Sequence, residues 1–249
     1  MPVVLFALLL GHALGDFYFQ SDRIAQEKKQ RLRILLLHIL IYAIVMAAVL
    51  LASIQMSQPL LIVMILVIVI HGIIDIGKFC LIGVKFSKSF GQTVLKYSFF
   101  IDQILHLAAL LAIGILFKDK LSIYPYQTTL AILPVAPIAL FTGLAYLLKP
   151  ASTLISEFFQ VSGLRETIDQ ADGASPRSFV RAGNIIGMLE RSLVYVLILV
   201  NQYSAIGFII TAKTITRFKE LEKREVAEYY LIGTLLSMAI TFGVGWICK

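Results

Sequence analysis

Long runs of apolar residues, separated by short polar connections, make up most of this chain. A bilayer crossing takes about 20 apolar residues, and a lipid-exposed segment has to satisfy its backbone hydrogen bonds within itself. The pattern therefore predicts an all-α, polytopic transmembrane helical bundle with about six full spans. The predicted spans are Pro2 to Gln20, Leu32 to Ile54, Leu60 to Ile82, Val94 to Phe117, Thr128 to Leu148 and Tyr229 to Cys248.

A seventh apolar stretch, Asn184 to Thr216, is interrupted by charged residues and by a polar segment around Tyr203. We expect a broken or re-entrant helical hairpin that turns near Tyr203, and a single span is the alternative. Residues 149–183 are polar and are predicted to form a cytoplasmic loop. The chain is thus expected to comprise a four-helix transmembrane module, 1–117, and a C-terminal transmembrane module, 118–249.

Composition supports the membrane assignment. Hydrophobic residues make up 59% of the chain and charged residues 15%, against roughly 45–50% and 25% in soluble domains. The two cysteines have no spacing typical of disulfide frameworks or zinc fingers. An ordinary soluble enzyme is therefore excluded.

The formal charge of +7 arises mainly from basic residues in the connections, so we expect no nucleic-acid partner. The first and third connections are basic and the second, near Gln55 to Pro59, carries no charge. This alternation predicts a multi-pass protein of the cell (inner) membrane with the N-terminus outside. The sequence leaves a homo-oligomer open.

The four histidines fall one in each of the first four spans, and three of them lie four residues from an aspartate. Residues at this spacing share one helix face. The order is reversed in the fourth span, which runs opposite to the first and third, so every aspartate is expected nearer the cytoplasm than its histidine. The pairs are His12/Asp16, His71/Asp75 and Asp102/His106, and His38 is expected at a similar depth.

Such a layer requires compensation, because an aspartate inside a bilayer costs about 2.5–3.5 kcal/mol even on translocon scales. A cation, a proton or a metal ion can supply it, and a purely structural polar network is the alternative. Nitrogen and oxygen ligands suit zinc, with iron or manganese possible. The predicted metal ligands are His12, Asp16, His38, His71, Asp75 and His106.

The number of ligands exceeds the need of one tetrahedral ion, so either two ions bind or the aspartates orient the imidazoles. In the two-ion interpretation each helical hairpin offers two histidines and one aspartate. Asp102 breaks this repeat, since Ile34 stands at the equivalent position, and it is our candidate general base. Secondary candidates for binding substrate are Lys78, Lys213 and Arg217.

Four segments resemble the bacterial membrane family known as domain of unknown function 3307. They are Leu-Gly-His-Ala-Leu-Gly-Asp-Phe-Tyr-Phe-Gln at 10–20, His38, His-Gly-Ile-Ile-Asp-Ile-Gly-Lys at 71–78 and Phe-Ile-Asp-Gln-Ile-Leu-His at 100–106. The resemblance implies a functional site at these positions without naming a reaction. The chain is also loosely similar to bacterial membrane-bound metal-dependent hydrolases, which points to hydrolysis.

We therefore expect a metal-dependent hydrolase that acts on a lipid-like substrate, with membrane lipid as its partner and a bound ion activating water. The alternative is a metal-ion or proton-coupled transporter, in which the same residues bind the cargo and broken helices are frequent. A structural or assembly role is the third possibility.

Overall fold

A computed structural model describes residues 3–83, 88–125, 136–164, 176–216, 218, 222 and 224–249. These residues are helical almost throughout, as predicted. The helices are α1 (Val3–Ala13), continued by a π-helical turn (Leu14–Tyr18), α2 (Asp22–Glu27), α3 (Leu32–Ser53), α4 (Gln58–Gly83), α5 (Lys88–Phe117), α6 (Pro137–Ser162), α7 (Pro176–Leu199), α8 (Tyr203–Thr216) and α9 (Arg224–Cys248).

Five of the described helices are long and apolar enough to cross a membrane, and they lie in α3, α4, α5, α6 and α9. The apolar helix Val3–Tyr18 is shorter. At about 1.5 Å per residue it falls short of the roughly 30 Å hydrocarbon core. The protein is a membrane helical bundle in which the first predicted span is a short helix.

The described residues divide into two compact units, one within Met1–Leu130 and Ala136–Thr142, the other within Ala131–Val135 and Gly143–Lys249. In the first unit α1 packs on α3, α3 on α4, α4 on α5, and α5 returns to α1. The four helices therefore enclose a common axis, as in a four-helix bundle. Near the end opposite α2, Gln55 N donates to Ser122 O at 2.8 Å and ties α3 to the segment after α5.

The polarity of this unit is inverted relative to a soluble bundle. Its outward faces carry large apolar side chains such as Ile73 and Ile104, which are 62% and 65% exposed. Its axis instead holds the four histidines together with Asp16, Asp75 and Asp102, and all seven side chains are buried. This arrangement is stable where the surrounding medium is lipid.

In the second unit α6 continues to Ser162 through Pro150, so the first part of the predicted loop 149–183 is helical. Proline removes a backbone donor and disturbs the preceding turn. Next to Pro150, the buried Arg191 contacts α6: its Nε donates to Leu147 O at 2.6 Å and its terminal nitrogen donates to Ser152 Oγ at 2.5 Å. The cluster Asp169 to Gly173 in the middle of that loop lies outside the described residues.

The stretch 184–216 is interrupted as the sequence predicts. Helix α7 ends at Leu199 and α8 begins at Tyr203, with Asn201 between them in the left-handed region at φ 61°. The two helices run antiparallel, since Lys213 Nζ lies 2.5 Å from Glu190 Oε2 and Ile206 packs near the turn against Ile198. They form a helical hairpin.

Candidate metal centre

Close packing of α1 on α3 brings the first aspartate to the axis. A Cβ at Gly15 would lie 2.6 Å from Tyr42 Cδ2, so only glycine allows this approach. Asp16 follows directly, inside the π-helical turn, a feature that often marks functional sites because it changes the direction of the next side chains. Asp16 Oδ1 thereby reaches His38 Nε2 at 3.2 Å.

Two carboxylates bracket two imidazoles at the middle of the unit. Asp16 Oδ1 lies 3.2 Å from His38 Nε2 and 3.6 Å from His71 Nε2. Asp75 Oδ2 lies 3.2 Å and 3.7 Å from the same two nitrogens. Helices α3 and α4 and the π-helical turn therefore bring ligand atoms into one small volume.

His106 keeps one ring nitrogen, Nε2, with an available lone pair. Its Nδ1 lies 2.9 Å from the main-chain oxygen of Asp102, and since a carbonyl only accepts, Nδ1 carries the proton. Metal-binding histidines use this arrangement, in which the other ring nitrogen is fixed by a hydrogen bond to a carbonyl. The His106 ring stacks on His12 at 5.4 Å and lies 4.5 Å from His71, measured between ring centroids.

All seven predicted side chains come together, and we call them the His/Asp centre. Their potential ligand atoms form three overlapping groups, in each of which the atoms lie within 4.8 Å of one another: His12, Asp16 and His71; His38, His71 and Asp75; Asp75, Asp102 and His106. Each group combines residues from both hairpins, apart from the last. The number of ions that the centre would bind stays a prediction.

The buried nitrogen and oxygen atoms of the His/Asp centre fit a metal ion. Among the residues that the structure describes, nine buried side-chain atoms of the His/Asp centre have no well-aligned hydrogen-bond partner, including both nitrogens of His12, His38 and His71, and Nε2 of His106. Buried polar atoms are nearly always satisfied, so a concentration of unsatisfied ones calls for a missing partner. Imidazole nitrogens and carboxylate oxygens together are the ligands zinc accepts.

Two lysines neutralise carboxylates at the α2 end of the His/Asp centre. Lys78 Nζ contacts Asp102 Oδ2 at 2.9 Å, and Lys28 Nζ contacts Asp75 Oδ2 at 3.3 Å. Lys78 was expected to bind substrate. In the structure its ammonium contacts the carboxylate of Asp102. Lys28 was not predicted, because sequence alone assigns a lysine in a connection to membrane orientation.

Helix α2 holds Lys28 in place. Ser21 caps it by accepting from Ile24 N, and Glu27 accepts from Arg23 at 2.8 Å and from Arg31 at 3.0 Å. The hydrogen bond from Arg23 lowers the pKa of Glu27, which lies outside the spans. Lys28 therefore follows a short helix fixed at both ends.

Tyr42 is a second residue that sequence reasoning missed. Its ring stacks on His71 with 3.4 Å between centroids and 4° between planes, which fixes the orientation of the imidazole. The sequence spacing could have indicated this residue, because Tyr42 lies four residues after His38 and so on the same face of α3.

The structure describes one of the two remaining substrate candidates, Lys213. Lys213 lies in the second unit, where its ammonium pairs with Glu190 and lies 5.4 Å from the centre of the Tyr230 ring. Arg217 lies outside the described residues.

Fold and geometry together define a helical membrane protein with a buried cluster of histidines and aspartates in its N-terminal half. The chain belongs to the family described as protein of unknown function (DUF3307), whose sequence pattern matches residues 4–132. The match includes every residue of the His/Asp centre together with Lys28, Tyr42 and Lys78. Comparison with curated proteins and comparison with solved structures each gave no match.

Proposed function

We propose that the His/Asp centre binds a divalent metal ion, with zinc the best fit, and that the protein is a metal-dependent hydrolase of a lipid-like substrate. The observation that supports this most directly is the convergence of buried imidazole nitrogens and carboxylate oxygens, within 4.8 Å of one another in each of three groups, inside the bundle. The residues that would hold the ion are His12, Asp16, His38, His71, Asp75 and His106. A bound divalent ion supplies a more acidic water and a polarised ester oxygen.

Asp102 is suited to accept the proton from water. Its Oδ2 is held by Lys78 at 2.9 Å and by Gln103 Nε2 at 3.3 Å, whereas Oδ1 has no hydrogen-bond partner within the described part of the chain. In hydrolysis the water oxygen bonds to the acyl carbon or phosphorus and the ester bond to the leaving oxygen breaks. The proton held on Asp102 Oδ1 then passes to that oxygen.

The apolar filling of the bundle supports an enzyme rather than a transporter. On the side of the His/Asp centre away from α2, the axis is filled by fully buried side chains, namely Leu8, Met46, Leu50, Leu60 and Val63. A transporter has to connect its site to both sides of the membrane. A hydrolase needs no such second connection, so we favour the hydrolase in this proposal.

The test uses protein purified in detergent and supplied with a bacterial lipid extract, with products followed by mass spectrometry. We expect lipid turnover to stop when a chelator removes the metal and to return when zinc is added. Turnover that persists after the metal has been removed, as measured by elemental analysis, would contradict the proposal. Zinc uptake into vesicles containing the protein, without turnover, would favour the transporter.

A further inference from the structure

The first unit ends, on the side of α2, in a surface that combines basic and apolar side chains. We call it the α2-end surface, and its basic residues are Lys29, Arg31, Arg33 and Lys96, all exposed. The first three belong to the connection between α2 and α3 and to the first turn of α3, and Lys96 is the first residue of the apolar part of α5. The proposed function uses none of these four side chains.

Helix length places these charges at the boundary of the hydrocarbon. Helix α3 has 22 residues, which at about 1.5 Å per residue only slightly exceeds a hydrocarbon core of roughly 30 Å. A span of this length uses nearly every residue to cross, so Arg33 lies where the lipid headgroups begin. The apolar part of α5, Lys96–Phe117, is equally long, and it runs parallel to α3, since both end beside the hydrogen bond that ties α3 to the segment after α5. Lys96 therefore lies at the same boundary.

The side chains next to these charges face lipid. Leu36 and Leu40 follow Arg33 at helical spacing and are each more than half exposed, as expected for a face turned to hydrocarbon. Tyr97, next to Lys96, is also exposed, and tyrosine is enriched at membrane–water interfaces. The guanidinium of Arg33 thus ends a row of lipid-facing leucines, at the place where the headgroup of a neighbouring lipid lies.

The chain itself does not neutralise this surface. Glu27 accepts from Arg23 at 2.8 Å and from Arg31 at 3.0 Å, so one carboxylate serves two guanidiniums. The other three basic residues of the α2-end surface form no ion pair among the residues that the structure describes. With Arg23 and Asp22 counted as well, five exposed basic side chains stand against two carboxylates. The surplus calls for an anionic partner, and at this boundary the available anion is a lipid phosphate.

We propose that the α2-end surface binds the headgroups of anionic phospholipids, with Lys29, Arg33 and Lys96 contacting their phosphates. A zwitterionic headgroup carries an ammonium beside its phosphate and so leaves the positive charge of the surface uncompensated. An anionic headgroup compensates it, because clustered Lys and Arg next to a span attract anionic lipid. The inference does not depend on metal, since none of these residues belongs to the His/Asp centre.

The experiment uses the full chain, purified in a neutral detergent and mixed with equal amounts of phosphatidylglycerol and phosphatidylcholine. Native mass spectrometry counts the molecules of each lipid that stay bound. We expect several-fold more phosphatidylglycerol than phosphatidylcholine, with an excess that falls as the ionic strength rises. Inorganic phosphate should displace no more phosphatidylglycerol than chloride does at equal ionic strength. Stronger displacement by inorganic phosphate would assign the surface to the free anion and overturn the inference.

A matched pair of double variants locates the binding. Lys29→Gln with Arg33→Gln removes two charges from the α2-end surface and should lower the excess of phosphatidylglycerol several-fold. Lys118→Gln with Lys120→Gln removes two charges from exposed positions at the opposite end of the unit and should leave the excess unchanged. Both variants should unfold at the temperature of the unmodified protein, because all four positions are exposed.

Two results with these variants overturn the inference: an excess that survives the first variant, and an excess that falls equally in both. The measurements on the unmodified protein test it without any substitution, since equal retention of the two lipids also overturns it. A chelator should leave the lipid counts unchanged. Absence of metal from the purified protein therefore overturns the proposed function and not this inference.

Discussion

At the scale of single residues, Gly15 controls the geometry of the His/Asp centre without contributing a ligand. The missing side chain lets the Tyr42 ring lie against α1, with 2.6 Å between Tyr42 Cδ2 and the position a Cβ would occupy. The other face of that ring stacks on His71. Displacing Tyr42 therefore displaces His71, because a stacked aromatic ring cannot bend away as a flexible chain can.

Gly15→Ala should destabilise the protein by about 1–3 kcal/mol through overpacking, and it should reduce the stabilisation that zinc provides. Thermal unfolding in detergent, with and without zinc, measures both effects. Gly72→Ala is the control, because a Cβ there would meet Ile39 at an ordinary 3.8 Å, and a helical Gly-to-Ala change is otherwise favourable by roughly 0.5–1 kcal/mol. Equal behaviour of the two variants would show that Gly15 has no special packing role.

The variant Asp102→Asn distinguishes two possible roles of Asp102, general base and metal ligand. If Asp102 is the general base, the amide keeps the shape but accepts no proton, so turnover should fall by about 10²–10⁴-fold while zinc content stays nearly unchanged. Elemental analysis and a lipid turnover assay on the same preparation give both values. Loss of zinc together with thermal stability would instead make Asp102 a ligand. An unchanged zinc content together with unchanged turnover would contradict both roles.

At the scale of helices, α2 acts as the support for a cation that reaches the His/Asp centre. Lys28 follows its last turn and contacts Asp75, which His38 and His71 also approach. The ammonium thus stands where a bound ion would compete for the same carboxylate oxygen. The side chain lies largely buried, so its removal leaves a buried charge with one partner fewer.

Lys28→Met should lower the free energy of unfolding of the metal-free protein by about 3 kcal/mol and should increase the rise in Tm that zinc produces. The larger rise is expected because the metal then meets no competing ammonium at Asp75. Lys29→Met, one residue away and exposed, should change neither quantity. Identical responses of the two variants to zinc would contradict a contact between Lys28 and the centre.

Part of the helix packing and of the candidate site can be predicted from the sequence. The spacing of His12 from Asp16, and of His71 from Asp75, places each pair on one helix face, and alternating helix direction then brings the pairs to one depth. Local periodicity cannot predict the π-helical turn around Asp16, nor the position of Lys28, because both depend on how α1 and α2 pack. Pro150 likewise predicts a helix end, whereas α6 continues through it to Ser162.

At the scale of the whole molecule, the apolar surface and the basic connections predict how the chain crosses the membrane. Lys28 connects the His/Asp centre to the first connection, which the charge pattern assigns to the cytoplasm. The centre would then lie in the cytoplasmic half of the bilayer, where an inner-leaflet lipid presents its ester region.

Cysteine labelling of intact cells in a Cys80→Ser background tests this topology. Met56→Cys, at a residue 62% exposed in the second connection, should react with a membrane-impermeant reagent from outside. Gln30→Cys, exposed in the first connection, should react only after the cells are opened. Reaction of both positions from the same side would contradict the prediction that the His and Asp pairs lie at one depth in the membrane.

Metal binding by the His/Asp centre can be tested by anomalous diffraction at the zinc edge, with crystals grown in the presence of zinc. We predict an anomalous peak inside the first unit, with nitrogens of at least three of His12, His38, His71 and His106 within about 2.0–2.3 Å of it. A map without a peak there, with those nitrogens hydrogen-bonded only to water or to the aspartates, would contradict the claim and make the cluster a structural polar network.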